Sequence, residues 1–136
     1  MTRIILVMHQ PLGTAFASCS EHVLGQVPDL TVFDVPADAE PEALSTELAG
    51  LLQETPESQG TLVLCDIFGA TPFNIAKRAI KLASERGHSA HLITGTNLCM
   101  VLKALTERQD NPEQLSRNVQ LGAQKGIVNA DHECKL

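Results

Sequence analysis

The stretch that decides the fold runs from Arg3 to His9 and reads RIILVMH. An apolar run of this length is typical of a strand that is buried on both faces, as in a parallel sheet. A second run, Thr61 to Cys65, reads TLVLC and is also followed by a titratable residue, Asp66. In open α/β sheets, ligands bind beyond the carboxyl ends of the strands, where the strand order reverses. His9 and Asp66 therefore make a candidate site.

Strands and helices alternate along the rest of the chain. The pattern predicts strands over residues 3–9, 30–35, 61–66 and 89–94, and helices starting near Leu12, Pro41, Pro72, Asn97 and Pro112. Thr71 is the expected N-cap of the third helix, and Asn111 is the expected N-cap of the last. The last helix should run to about Ala123. A further strand could form around Ile127 and Val128. This order implies a doubly wound α/β fold, with a mostly parallel four-stranded sheet and helices on both faces. Placing the first strand centrally gives the strand order 2-1-3-4.

Size and composition narrow the choice of function. The 136 residues suit one domain of ordinary size, and without repeats or linkers we expect residues 1–136 to form a single domain. Aromatic residues make up only 3% of the chain and the net charge is -6. Both properties argue against a nucleic-acid partner, because stacking platforms and cationic surfaces are what such partners require.

Localisation and redox state can also be predicted. The sequence has neither an apolar stretch of membrane-spanning length nor a signal peptide, so we expect a cytoplasmic protein that is not inserted in the membrane. The four cysteines, Cys19, Cys65, Cys99 and Cys134, are far apart, which predicts free thiols. Cys19 and His22 are three residues apart on a helix, but further ligands at zinc spacing are lacking, so we predict no metal and no cofactor.

The chemistry of the candidate site follows from three groups. A neutral imidazole is a competent nucleophile, and a carboxylate bonded to one ring nitrogen fixes the tautomer and stabilises the positive ring that forms on attack. Residues 69–74 add a glycine that permits close backbone approach, the Thr71 hydroxyl, and the positive end of a helix, which favours an anion such as phosphate. Each feature alone also has an ordinary structural explanation, such as a strand cap or a turn. Together they indicate a phosphohistidine site.

Two segments carry a resemblance to a known family. Residues 66–74, which read DIFGATPFN, follow a hydrophobic strand that ends in His9, and residues 95–100 read GTNLCM. In this order and spacing they resemble the enzyme IIA domain of the mannose family of the bacterial phosphotransferase system, including its Gly-x-Asn-hydrophobic-x-Met signature. The resemblance covers nearly the whole chain, which we expect to be a free-standing IIA domain.

The resemblance implies a phosphotransferase component with a phosphohistidine intermediate. His9 would accept a phosphoryl group from the phosphocarrier protein HPr and pass it to an enzyme IIB in sugar uptake. Asp66 would orient the ring, while Gly69, Ala70 and Thr71 would bind the phosphate. The family is usually a homodimer in which a C-terminal strand crosses to the partner's sheet, and residues 126–128 would be that strand here.

This chain departs from the family pattern at two places. Gln10 and Pro11 follow the histidine where many members have glycine, and Ala70 replaces a common second glycine. Neither change removes a chemical group.

Two other functions use the same residues. The domain could be a regulatory phosphohistidine module that controls a partner without a transport role. It could also be an α/β hydrolase with His9 as general base, but such enzymes usually carry a Gly-x-Ser-x-Gly turn, which this sequence lacks.

Overall fold

A computed structural model describes residues 1–133, and the side chains up to Asp131. The strands are β1 (Arg3–His9), β2 (Thr31–Val35), β3 (Thr61–Cys65) and β4 (Ala90–Ile93). They form one parallel sheet in the order β2-β1-β3-β4, which confirms the predicted α/β fold and strand order. The helices are α1 (Leu12–Leu24), α2 (Pro41–Glu54), α3 (Thr71–Ser84), α4 (Leu98–Thr106), α5 (Pro112–Gly126) and α6 (Ala130–Glu133).

The sheet separates two apolar layers. Alternate residues of a strand point to opposite faces, so Ile5 and Val7 pack with α2 and α3, whereas Ile4, Leu6 and Met8 pack with α4 and α5. All five of these side chains are fully buried. Helices cover both faces, and this explains why β1 is a continuous apolar run and not an alternating one.

Strand register places the end of β1 beside the end of β3. Val7 pairs with Cys65, and on the other side His9 pairs with Val35. His9 therefore extends two residues beyond the last residue that pairs with β3. This offset sets it next to the loop that begins with Asp66.

The start of α3 corrects one prediction. The helix begins at Thr71, with Ala70 as its N-cap, so Thr71 lies in the first turn and does not cap the helix. Ile75 of this helix is buried, whereas the Phe73 side chain is only half-buried. The Thr71 side chain is exposed, and its hydroxyl makes no hydrogen bond among the described residues.

The predicted cap at Asn111 is confirmed, whereas the helix expected from Asn97 begins at Leu98 and the C-terminal segment differs from the prediction. Asn97 and Asn111 each cap a helix through the side chain, and α5 continues to Gly126. Residues 127–129 are irregular and lead into α6, so the expected strand around Ile127 does not form within this chain. The segment pairs with no strand of its own sheet, and the main-chain hydrogen bonds that define a strand are therefore missing.

Three further properties bear on function. Cys19, Cys65 and Cys99 are free thiols, whereas Cys134 lies outside the described residues. Within residues 1–133, no helix combines the length and apolar composition needed to cross a bilayer. Among the side chains described, those up to Asp131, there is no group of three His, Cys, Asp or Glu that could bind a metal ion.

Candidate functional site

His9 and Asp66 meet at the carboxyl edge of the sheet. Asp66 Oδ2 accepts a hydrogen bond from the His9 main-chain N–H at 3.0 Å and lies 2.7 Å from His9 Nδ1. Asp66 Oδ1 accepts from the N–H of Ile67 at 3.0 Å. The Asp66 side chain is only 6% exposed, whereas that of His9 is 48% exposed. The carboxylate is thus enclosed while the ring remains accessible.

The surroundings of Asp66 determine which ring nitrogen of His9 is free. Burial raises the pKa of Asp66, but the hydrogen bonds from the His9 main chain and ring and the charge of the ring outweigh this effect and lower the pKa. Asp66 is therefore an ionised, acceptor-only group at neutral pH, and Nδ1 must carry the proton. The lone pair is left on Nε2, which makes no hydrogen bond to the main chain and side chains that the structure describes.

The loop after Asp66 leads to an open helix end. Gly69 has a φ of 83°, a conformation that favours glycine. The N-cap residue, Ala70, has no polar side chain, and the N–H groups of Thr71 and Phe73 reach no acceptor in the described part of the chain. Unpaired N–H groups at the positive end of a helix favour an anion. Of the predicted phosphate-binding residues, Gly69, Ala70 and Thr71 all lie in this segment.

A second loop, between β4 and α4, holds the end of β3 in place. The Gly95 N–H donates to the carbonyl of Asp66 at 3.1 Å. Thr96 donates to the carbonyl of Cys65 twice, from its N–H at 3.1 Å and from its hydroxyl at 2.6 Å.

Burial, with a smaller contribution from the charge of Asp66, raises the pKa of the Cys65 thiol to about 12. Cys65 is therefore a protonated packing group and not a nucleophile.

Apolar side chains lie exposed beside the charged pair. Ile67 is 56% exposed and Phe68 is 76% exposed. The Phe68 ring lies 4.8 Å from that of Phe73, centroid to centroid. Both residues belong to the segment 66–74 that carries the family resemblance, but the sequence analysis assigned them no role. Two large apolar residues that directly follow Asp66 in a turn are a sequence signal for an exposed apolar surface at the site.

A further carboxylate, Asp34, lies near the start of α1. Its Oδ1 accepts from the Gly13 N–H at 2.8 Å, and its Oδ2 accepts from the N–H and the hydroxyl of Thr14 at 3.2 and 2.7 Å. This residue also escaped the sequence interpretation. It is the only charged residue within β2.

Comparisons with known proteins agree with this geometry. The family model described as PTS system fructose IIA component matches residues 3–119. The PTS system sorbose-specific EIIA component of Lacticaseibacillus casei is 26% identical over 100 residues, which are 74% of this chain and 69% of that protein.

Solved structures show the same fold. The phosphotransferase system component EIIA from Streptococcus agalactiae superposes with a TM-score of 0.83 at 24% identity, covering 96% of this chain and 98% of that one. The mannose/sorbose specific IIA subunit from Enterococcus faecalis gives a TM-score of 0.82 at 23% identity, covering 94% and 93% of the two chains.

Proposed function

We propose a phosphoryl-carrier role for this chain on the premise that it belongs to the mannose/sorbose family of enzyme IIA components of the phosphotransferase system. In this role His9 accepts a phosphoryl group from phospho-HPr and passes it to an enzyme IIB. The observation that carries the proposal is the His9–Asp66 pair. In this pair His9 Nδ1 lies 2.7 Å from Asp66 Oδ2, and the His9 ring is half-exposed.

The proposed transfer exchanges one bond to phosphorus for another. The lone pair of His9 Nε2 attacks the phosphorus as the bond from phosphorus to the donor breaks, and the donor keeps that electron pair. The His9 ring retains its proton on Nδ1 and becomes positively charged. Asp66, already ionised, stabilises that charge across the 2.7 Å contact. In the second step the bond from Nε2 to phosphorus breaks and the acceptor gains the phosphoryl group.

The start of α3 supplies the proposed phosphate contacts. The N–H groups in its first turn and the exposed Thr71 hydroxyl are donors without protein acceptors in the described residues. Glycine at position 69 leaves the backbone open to close approach. These donors would offset the negative charge of the phosphoryl oxygens.

The exposed apolar pair Ile67 and Phe68 supports a docking role at the same edge. A phosphoryl carrier must bind its donor and its acceptor in turn, with water excluded around the transferred group. Large apolar side chains that border the reacting group suit such transient contacts. We therefore propose that partner proteins cover Ile67 and Phe68 during transfer.

Intact-mass spectrometry tests the proposed function. The full chain is incubated with phosphoenolpyruvate, enzyme I and HPr, and we expect it to gain one phosphoryl group that is labile in acid and stable in base. His9→Ala should gain none. His22→Ala is the matched control, because His22 is an exposed histidine on α1 and should leave phosphorylation unchanged. A phosphorylated His9→Ala variant would contradict the proposal.

A further inference from the structure

We infer that Asp34 is a positioning residue for phosphoryl transfer, because its carboxylate fixes the segment that joins His9 to α1. The inference rests on the proposed function of His9. Asp34 lies on β2, where it pairs with Met8 of β1, the residue before His9. Its side chain leaves the sheet and reaches the first turn of α1.

All the contacts of the Asp34 carboxylate are directed at that turn. The two oxygens accept three hydrogen bonds, from the Gly13 N–H at 2.8 Å, the Thr14 N–H at 3.2 Å and the Thr14 hydroxyl at 2.7 Å. The N-cap position of α1 is Pro11, which offers no side-chain cap. Asp34 thus satisfies from a neighbouring strand the N–H groups that an N-cap side chain usually satisfies.

The contact with Asp34 leaves no room for a side chain at Gly13. Gly13 is buried, and a Cβ at position 13 would lie 2.5 Å from Asp34 Oδ1 and 3.0 Å from Val32 Cγ1. Any larger residue would push the carboxylate away from the helix. The glycine and the aspartate therefore form one arrangement that brings α1 against β2.

This arrangement reaches His9 through a short connection. Only Gln10 and Pro11 separate His9 from α1, and the Gln10 N–H donates to the carbonyl of Val35 at 3.0 Å. Two residues of β2 therefore hold this connection. Val35 binds it directly at Gln10, and Asp34 binds the first turn of α1, where the connection ends. A small displacement of the first turn of α1 would move the His9 backbone, and transfer rates respond to displacements of this kind.

Asp34 also makes α1 and α3 electrostatically different. Both helices begin at the carboxyl edge of the sheet, where helix amino termini attract anions. A carboxylate already occupies the start of α1, whereas the start of α3 has Ala70 and no side-chain acceptor. The negative charge of Asp34 repels a second anion at α1 and leaves α3 as the end open to a phosphoryl group.

Single-turnover transfer from phospho-HPr, measured at a series of phospho-HPr concentrations, separates this role from simple stabilisation. We expect the maximal rate constant per folded molecule to fall on the order of tenfold in Asp34→Ala, with the half-saturating phospho-HPr concentration unchanged. Asp34→Asn keeps one acceptor for the Gly13 N–H and Thr14→Val removes only the hydroxyl donor, so both should lose less. Asp38→Asn is the control, because Asp38 is exposed and has no partner within residues 1–133. If Asp34→Ala fails to fold, the two milder variants still test the order of effects.

Amide hydrogen exchange tests the same link without phosphoryl transfer. In Asp34→Ala, or in Asp34→Asn if the first is unfolded, exchange of the His9 and Gln10 N–H groups should accelerate relative to β3. Asp38→Asn should leave this exchange unchanged. A wild-type chain that takes up no phosphoryl group would refute the proposed function, while exchange would still test the role of Asp34. Wild-type exchange at both amides in the Asp34 variants would overturn the inference.

Discussion

A single oxygen of Asp66, Oδ2, holds both the main chain and the ring of His9. It lies 3.0 Å from the His9 backbone nitrogen and 2.7 Å from Nδ1. The backbone contact fixes where the side chain begins, and the ring contact fixes its rotation. Loss of this carboxylate would therefore affect the position, the tautomer and the charge of the ring together.

Asp66→Asn should leave the fold intact and slow phosphoryl transfer by about two orders of magnitude or more, because an amide cannot stabilise the positive ring. Rapid-quench measurement of transfer from phospho-HPr checks this expectation, with Asp38→Asn as the control for removal of an exposed carboxylate. Transfer at the wild-type rate would mean that Asp66 has only a structural role.

The lowered pKa of Asp66 predicts how stability depends on pH. Because its folded-state pKa lies below the unfolded value, its contribution is fully present above the unfolded pKa and is lost as pH falls through the folded pKa. The difference in unfolding free energy between wild type and Asp66→Asn should therefore be constant near neutral pH and shrink below about pH 4. Urea denaturation at a series of pH values measures it. A difference that stays constant down to pH 2 would contradict the prediction.

Thr71 provides a test of the proposed phosphate contacts. Thr71→Val removes the hydroxyl with little change in shape, and we expect it to shorten the lifetime of phosphorylated His9 or slow its formation by roughly tenfold or more, since a hydrogen bond to a charged group contributes about 1.5–3 kcal/mol. Thr71→Ser, which keeps the hydroxyl, should behave like wild type. Equal behaviour of the two variants would exclude the hydroxyl from phosphate binding.

Phe68 tests the proposed docking role of the exposed apolar pair. Phe68→Ser should raise KM for phospho-HPr several-fold without lowering stability, because the side chain is 76% exposed. Leu121→Ser is the matched control, since Leu121 is an exposed apolar residue on α5. An unchanged KM, or the same increase in both variants, would place the docking surface elsewhere.

Self-association is expected through the outer edge of the sheet. The β4 edge borders a groove of about 420 Å³ that includes Leu92, Ile93 and Ile127, and both Ile127 and Val128 are exposed. Open strand edges are usually paired or covered, so we expect a homodimer in which residues 126–128 of one chain pair with β4 of the other.

Sedimentation of the full chain and of a version ending at Lys125 tests this dimer. The full chain should be dimeric at micromolar concentration and the truncated chain monomeric. A monomeric full chain would refute the dimer, and an unchanged dimer after truncation would refute the proposed exchange of strands.

The fold could be predicted from the sequence because short stretches of neighbouring residues determine its strands and helix starts. The apolar runs of β1 and β3 need burial on both faces, and Asn97 and Asn111 cap their helices with their own side chains. The error at the start of α3 has the same origin. A threonine before a proline is a good N-cap by local rules, but here the helix takes in Thr71 as its first residue.

The candidate site was only partly accessible, because some of its contacts join distant segments. His9 and Asp66 could be brought together by strand order alone. The contacts of Asp34 with α1 span about twenty residues, and those of Thr96 with Cys65 span 31. Neither pair leaves a spacing signal in the sequence, since the sheet brings them together only after folding.

The hydrogen bonds from Gly95 and Thr96 to the end of β3 have a consequence for protein engineering. The carbonyls of Cys65 and Asp66 are both taken up by this distant loop. A transplant of residues 65–74 into another parallel sheet would leave those two carbonyls without donors, and the aspartate would lose its support. The smallest portable unit is thus discontinuous, made of the histidine strand, the aspartate loop and residues 95–97.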